Sequence, residues 1–374
     1  MRLFRRPDHP PVGLEIGGGG IKLLQLQSRP DGATQAILAA RPLPPASRLD
    51  FAAENAPMDG LRTAAELARQ MLAELRWPRR VVTCLPEGGV RLRPLRIPAQ
   101  PGDGPPDLSQ LDVEAAALFA ADLRDARTQY LYAGVARHVT GPAHEFYVAA
   151  SPSRHIRAFV AELDRAGIDL EAIELAPCAV FRAIERRYAG PNTVHAVVDL
   201  GDEQTQVIIG QGDRIRLIRP IPIGAAHLRR AIGRRLGIST EEASQLRRRL
   251  LDEKRPAAGD REPVRNAVRQ ACRGIVESLA AEVALCVRYH QVAFRGPQPR
   301  QILVCGSEAQ DPQLTSMLAH ATSLDAMPAQ LFGGLALRRT GTHPLTQSPT
   351  DWALPLGLAL RAFPRTATMQ AEAA

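Results

Sequence analysis

Two stretches of this 374-residue chain carry one pattern, and that repetition limits the folds open to it. The first runs Val12-Gly-Leu-Glu-Ile-Gly-Gly-Gly-Gly-Ile-Lys-Leu-Leu-Gln-Leu26, the second Ala196-Val-Val-Asp-Leu-Gly-Asp-Glu-Gln-Thr-Gln-Val-Ile-Ile209. Each reads as a strand ending in an acid, an aliphatic residue and glycine. A small or polar turn follows, then a return strand with period-2 alternation, Ile21 and Leu23 against Lys22 in the first copy. The second copy continues through the turn Gly210–Asp213 into Arg214–Ile221, which makes a three-stranded meander. Two such units in one chain predict an α/β fold built by duplication, with two facing halves.

Mixed elements lie between them. Leu61, Ala64, Ala65, Ala68, Met71, Leu72 and Leu75 recur at helical spacing, and Val81–Leu85 reads as a short strand. Pro98–Pro106 is a loop, rich in Pro and Gly. A helix over 113–123, paired strands over 129–136 and 145–150, and a helix over 155–166 stopped by Gly167 follow. Pro177 opens a helix through Tyr188, where proline is favoured. Residues 86–175 thus read as a compact α+β insertion in the first half. In the second half, helix Ala225–Leu236 ends at Gly237, Ser239 or Thr240 caps the next, and an amphipathic helix spans 264–293. A strand at Gln301–Cys305, a Gly-Ser turn and a helix from Gln313 come next; Trp352–Phe363 closes the order, and a tail from Pro364 is expected to be without structure.

Composition narrows the function classes. No apolar run approaches a membrane span, and the basic start Met1–Pro7 is not followed by the apolar core of a signal peptide, so the expected compartment is the cytoplasm. Five scattered cysteines without a CxxC pair point to neither zinc nor a disulfide framework. The net charge of +8 invites nucleic acid. Its dense arginine runs, Arg229-Arg230, Arg234-Arg235 and Arg247–Arg249, nevertheless fall on helices without aromatics for stacking, so solvated helix faces are the reading and no nucleic-acid partner is expected. Lys22 and Lys254 are the only lysines.

Tight turns rich in glycine hold phosphates well, because fixed backbone N–H groups meet the ligand and no side chain blocks approach. Gly17, Gly18, Gly19 and Gly20 form such a turn, and Lys22 follows within reach of a phosphate. Glu15 is a candidate to hold hydrated Mg²⁺. Asp199, Gly201 and Thr205 are the matching candidates of the second copy. The blander reading makes each turn a hairpin and nothing more. A P-loop is excluded, and no GxGxxG opens a helix.

The two turns, in order with a late strand-Gly turn, resemble the actin/Hsp70/sugar-kinase superfamily. Three features bring the resemblance closer to the type IV pilus assembly (PilM-like) family: the insertion near 86–175, Ile221-Pro-Ile-Gly224 followed by Gly237-Ile-Ser-Thr-Glu-Glu-Ala243, and the ending Leu356-Gly-Leu-Ala-Leu-Arg361. The resemblance covers about residues 12–362 and implies an actin-like (ribonuclease H-like) two-lobed fold. Its implied parts are a first lobe at 1–85 and 176–198 with 340–363 returning to it, the insertion at 86–175, a second lobe at 199–339 and a disordered tail at 364–374. It implies ATP or ADP with Mg²⁺. Gly17–Gly20 and Lys22 would meet the phosphates, as would Asp199, Gly201 and Thr205. Glu242 and Arg247 would meet the ribose or adenine, Gly306 and Ser307 the adenosine, and Glu15 and Asp199 the metal. Glu15 departs from the usual aspartate, and Glu308 adds a carboxylate to the adenosine motif.

The same resemblance implies a scaffold with at most slow ATP hydrolysis. It would hold the cytoplasmic tail of a PilN-like inner-membrane protein, with other pilus platform proteins as further partners, and rest at the membrane through that tail. The strand around Tyr130 and Tyr132 and the helix around Phe119 are candidates to line the tail's groove, with the core as their commoner fate. Rival readings are an FtsA-like division protein, a GspL-like secretion protein and a sugar-kinase-type enzyme. The first lacks here its amphipathic C-terminal helix, and the second would continue into a membrane span.

Overall fold

The computed structural model describes residues 10–18, 20–44, 59–100, 104–119, 125–190, 192–252, 262–340 and 348–361. Gly19 and the tail 364–374 lie outside the described residues, as does the end of the helix expected to reach 123. The chain divides into two units, 1–190 with 330–374, and 191–329.

The first unit is built on a six-stranded sheet. Strands β1 (Val12–Gly17), β2 (Gly20–Ser28) and β3 (Thr34–Arg41) form an antiparallel meander. β1 also pairs in parallel with β4 (Arg80–Cys84), and β4 with β8 (Asp169–Glu174). β14 (Ala336–Arg339) joins the far edge beside β3, giving the order β14-β3-β2-β1-β4-β8. Helices α1 (Asp59–Glu74) and α3 (Ser153–Arg165) pack their apolar stripes on one face, where Leu61, Ala68, Met71, Phe159 and Leu163 meet Leu14, Ile16, Ile21 and Leu23. The other face carries α4 (Ala176–Tyr188) and α9 (Ala353–Leu360), with Ala179 and Leu358 around Val82. Gly13 permits this layer: a Cβ there would stand 2.2 Å from the Pro355 carbonyl oxygen of α9.

A smaller antiparallel sheet in the same unit has the order β5-β7-β6, from β5 (Arg91–Pro98), β6 (Ala126–His138) and β7 (Gly141–Pro152). Helix α2 (Leu108–Phe119) covers it, and Leu111, Ala115 and Phe119 join Leu95, Phe146 and Val148 in a separate core. The insertion expected at 86–175 is therefore divided by the topology. Its middle forms this small sheet, while α3 and β8 return to the large one because their apolar residues face α1 and β4.

The second unit repeats the first meander. β9 (Val194–Leu200), β10 (Thr205–Gln211) and β11 (Arg214–Ile221) run antiparallel, and β9 pairs in parallel with β12 (Ile302–Gly306). β13 (Ala326–Pro328) completes the order β11-β10-β9-β12-β13. This reproduces β3-β2-β1-β4-β8 strand for strand. Helices α5 (Ala225–Leu236), α6 (Thr240–Asp252), α7 (Glu262–Phe294) and α8 (Pro312–Thr322) accompany the sheet, and α5, α7 and α8 share one core with it through Leu228, Val276, Leu279, Val283 and Leu318. β9 thus lies in the second unit, although 176–198 was expected in the first lobe. β14 lies in the first, although 199–339 was expected in the second.

Candidate functional site

The β1–β2 hairpin places the first group of candidate residues together. Gly17 pairs with Gly20 to close the turn, and one step further out Ile16 pairs with Ile21. Gly18 is exposed at the tip. Gly20 has a φ of +126°, and a Cβ on it would lie 2.3 Å from the Arg41 carbonyl oxygen, so β3 leaves room for glycine alone. Glu15 and Lys22 are directly opposed across the strands. Lys22 Nζ lies 3.2 and 3.3 Å from the two carboxylate oxygens of Glu15, donates to the Asp351 carbonyl at 2.9 Å, and stands 3.5 Å from Asp351 Oδ1. Burial pushes the Glu15 carboxyl above its ordinary range, Lys22 pulls against that, and Asp351 adds to it.

Asp351 joins this group beside Lys22, and the sequence did not reveal it. It sits in a 3-10 turn, Pro349–Trp352, which the buried Trp352 anchors just before α9. An acid two residues before a strongly apolar helix was the only local sign of it.

The β9–β10 turn holds the second group. Asp199 on β9 pairs with Gln206, the position that Lys22 takes opposite Glu15 in the first copy. Gly201 donates its N–H to the Gln204 carbonyl, closing the turn. The Gly201 and Asp202 carbonyls accept from the N–H groups of Ala225 and Ala226, so the turn satisfies the open donors of the first turn of α5. Gly224 is needed for that approach, since a Cβ there would meet the Asp202 oxygen at 2.4 Å. The Thr205 hydroxyl is buried and donates to the Ile223 carbonyl at 2.6 Å. Arg229 and Arg230 bond to Asp202 and Glu203, so the first arginine run is tied to this turn.

The third group lies past β12. Gly306 pairs with Leu200, has a φ of +97°, and would clash with the Leu200 oxygen at 2.3 Å if it carried a Cβ. Ser307 is exposed, and Glu308 is buried. Arg247 reaches Glu308 from α6, with Nε 2.9 Å from Oε2, and also bonds to Asp311. Burial pulls the guanidinium pKa down, but the two carboxylates outweigh it and hold the group fully charged. Glu242 is the N3 residue of a capping box: its carboxylate accepts from the Ser239 N–H at 2.8 Å and hydroxyl at 2.7 Å. Beside Asp199, burial and that carboxylate keep the Cys305 thiol protonated. Tyr130 and Tyr132 hydrogen-bond to Asp112 and His144, and Phe119 is core.

These residues fit a phosphate more readily than a metal. The glycine turn has an exposed tip at Gly18 and no large side chain of its own. Glu15, expected to hold Mg²⁺, has both oxygens facing an ammonium. Two unit charges 4 Å apart interact by about 4 kcal/mol at an effective dielectric of about 20, and a divalent ion doubles that repulsion. Among the described residues no group of three His, Cys, Asp or Glu is placed to hold a metal. Among them, too, no helix is long and apolar enough to cross a membrane.

The duplicated meander is the fold of the actin-like ATPases, and solved structures share it. Over 95% of this chain and 99% of the other, it superposes with a TM-score of 0.72 and 21% identity on a chain of a PilM-PilN type IV pilus biogenesis complex. A second match is ethanolamine utilization protein EutJ from Carboxydothermus hydrogenoformans, with a TM-score of 0.52, 15% identity, and 95% and 90% of the two chains covered. No curated protein matches the sequence. The profile of the type IV pilus assembly protein PilM family matches residues 13–363, and the chain belongs to that family.

Proposed function

We propose that this chain is an actin-like scaffold of a type IV pilus inner-membrane platform, gripping the short cytoplasmic tail of a PilN-like membrane protein. The observation that carries the reading is the family match over 13–363 together with nearly complete overlap with a chain from a PilM-PilN complex. The small sheet β5-β7-β6 and α2 form a separate core inside the first unit, and on this reading the tail seats beside it. On this reading the protein works in the cytoplasm, at the inner face of the inner membrane, held there by its partner. Other platform proteins are further partners.

The scaffold binds ATP or ADP, and the Gly17–Gly20 turn supplies phosphate contacts. Mg²⁺ bound directly to Glu15 is not part of the proposal, because Lys22 faces that carboxylate. Arg247 and Glu242 serve the fold of the second unit through Glu308, Asp311 and Ser239. A ligand can bias a scaffold only by binding one conformation better than another. Turnover of a small-molecule substrate has no part in the reading.

The test is calorimetric titration of the full chain with a synthetic peptide of the cytoplasmic tail of a PilN-like protein from the same organism. Saturable one-to-one binding is expected. No heat at millimolar peptide, with the chain shown to be folded, would remove the adaptor reading.

A further inference from the structure

Lys22 stands out first by its type. The sequence holds 47 lysines and arginines together, yet Lys22 and Lys254 are its only lysines. An ammonium is a compact point charge on a flexible stem, whereas a guanidinium is a planar fork that needs a broad acceptor face. At the β1–β2 hairpin the side chain must thread between Glu15, its cross-strand neighbour, and Asp351. All three side chains are largely shielded, with exposures of 13% for Lys22, 19% for Glu15 and 15% for Asp351. Four oxygens surround Nζ at 2.9–3.5 Å: both of Glu15, the Asp351 carbonyl and Asp351 Oδ1.

Carboxylate and carbonyl oxygens around a small charge are the donor set that a hard divalent cation chooses. Here the charge is a side chain. We propose that Lys22 is a resident counter-cation: its ammonium fills the seat that a divalent metal would take between Glu15 and Asp351, so the β1–β2 turn meets its phosphate ligand without a metal on Glu15. The occupied seat stands on geometry alone; the consequence for phosphate rests on the nucleotide reading above. The extra methylene of Glu15, compared with an aspartate, lets the carboxylate reach Nζ from the opposed strand.

Two measurements on the full chain separate these layers. The first uses Mn²⁺ alone, followed by electron paramagnetic resonance. Wild type is expected to show no bound Mn²⁺ that depends on Glu15. Lys22→Met is expected to gain one Mn²⁺ site per chain, about tenfold or more tighter than any in wild type. Glu15→Gln in the Lys22→Met background should abolish it. Lys22→Gln serves in place of Lys22→Met if thermal melting shows that variant unfolded. A Mn²⁺ signal in wild type that disappears in Glu15→Gln overturns the proposal. So does a folded lysine variant that gains no site.

The second measurement titrates fluorescent ATP in EDTA and in Mg²⁺. Equal binding in both supports the proposal, and binding in Mg²⁺ alone overturns it. Binding in neither removes the nucleotide reading, and the Mn²⁺ measurement then decides the cation seat by itself.

Discussion

The Arg247 guanidinium lies against the Glu308 carboxylate with Nε 2.9 Å from Oε2, and both side chains are buried. Asp311 accepts from the same guanidinium. Read along the chain, Glu308 is an acid beside a candidate adenosine motif. In the fold its charge is already matched, and the pair ties α6 to the segment between β12 and α8.

Removing the cation from that triad tests how far the second unit depends on it. Arg247→Met leaves the Glu308 and Asp311 carboxylates buried without their cation. Breaking a buried pair from one side costs about 3–5 kcal/mol. Chemical denaturation should show a loss of that size, while Glu308→Gln, which keeps the pair with Asp311, should lose less. An unchanged midpoint in Arg247→Met would rule out the triad as a structural element.

His290, on α7, is nearly fully buried, and its pKa is lowered to about 4 by burial and then by the nearby Arg216 charge. Its ordinary value is 6.5, so between the two the unfolded chain binds the proton and the folded chain does not. Stability from this group is therefore complete above about pH 6.5 and is lost as pH falls toward 4. The span corresponds to about 3 kcal/mol. His290→Gln should flatten that part of the pH–stability curve, as read from denaturation midpoints between pH 7 and 4 (about the two ends of the window).

Gly357 sits inside helix α9, where alanine is ordinarily the better residue by about 1 kcal/mol. A Cβ at this position would lie 1.7 Å from the Ala179 carbonyl oxygen of α4. Gly357→Ala is thus expected to lower the melting temperature of the first unit, against the helix-propensity rule. A rise in melting temperature would show that α4 and α9 can separate without loss.

Thr205 gives a way to tell a structural hydroxyl from a ligand-binding one. Its Oγ1 donates to the Ile223 carbonyl in a buried setting. Thr205→Val keeps the shape and leaves that carbonyl without its donor, which costs about 1–3 kcal/mol. A loss of stability in urea is the expected result. Weaker ATP binding with unchanged stability would assign the hydroxyl to the ligand.

Much of the fold was legible because the signals are local. The acid-aliphatic-glycine turns at Glu15 and Asp199 marked both meanders, and Arg214–Ile221 and Ala225–Leu236 are elements with the bounds read from the sequence. β5 escaped notice because Pro94 interrupts it and five of its eight residues are exposed, as suits an edge strand. β3, Thr34–Arg41, is rich in alanine and becomes a strand because β2 and β14 pair with its two edges.

The sequence by itself determined the duplication, the glycine turns and the family, since each rests on neighbours within a few residues. Tertiary structure decided what the charged residues do. Asp351 is 329 positions from Lys22 and Glu308 is 61 from Arg247, and no period or spacing encodes such pairs. A buried charge takes whichever partner the packing of sheets and helices brings within reach, so its role is settled only once the chain has folded.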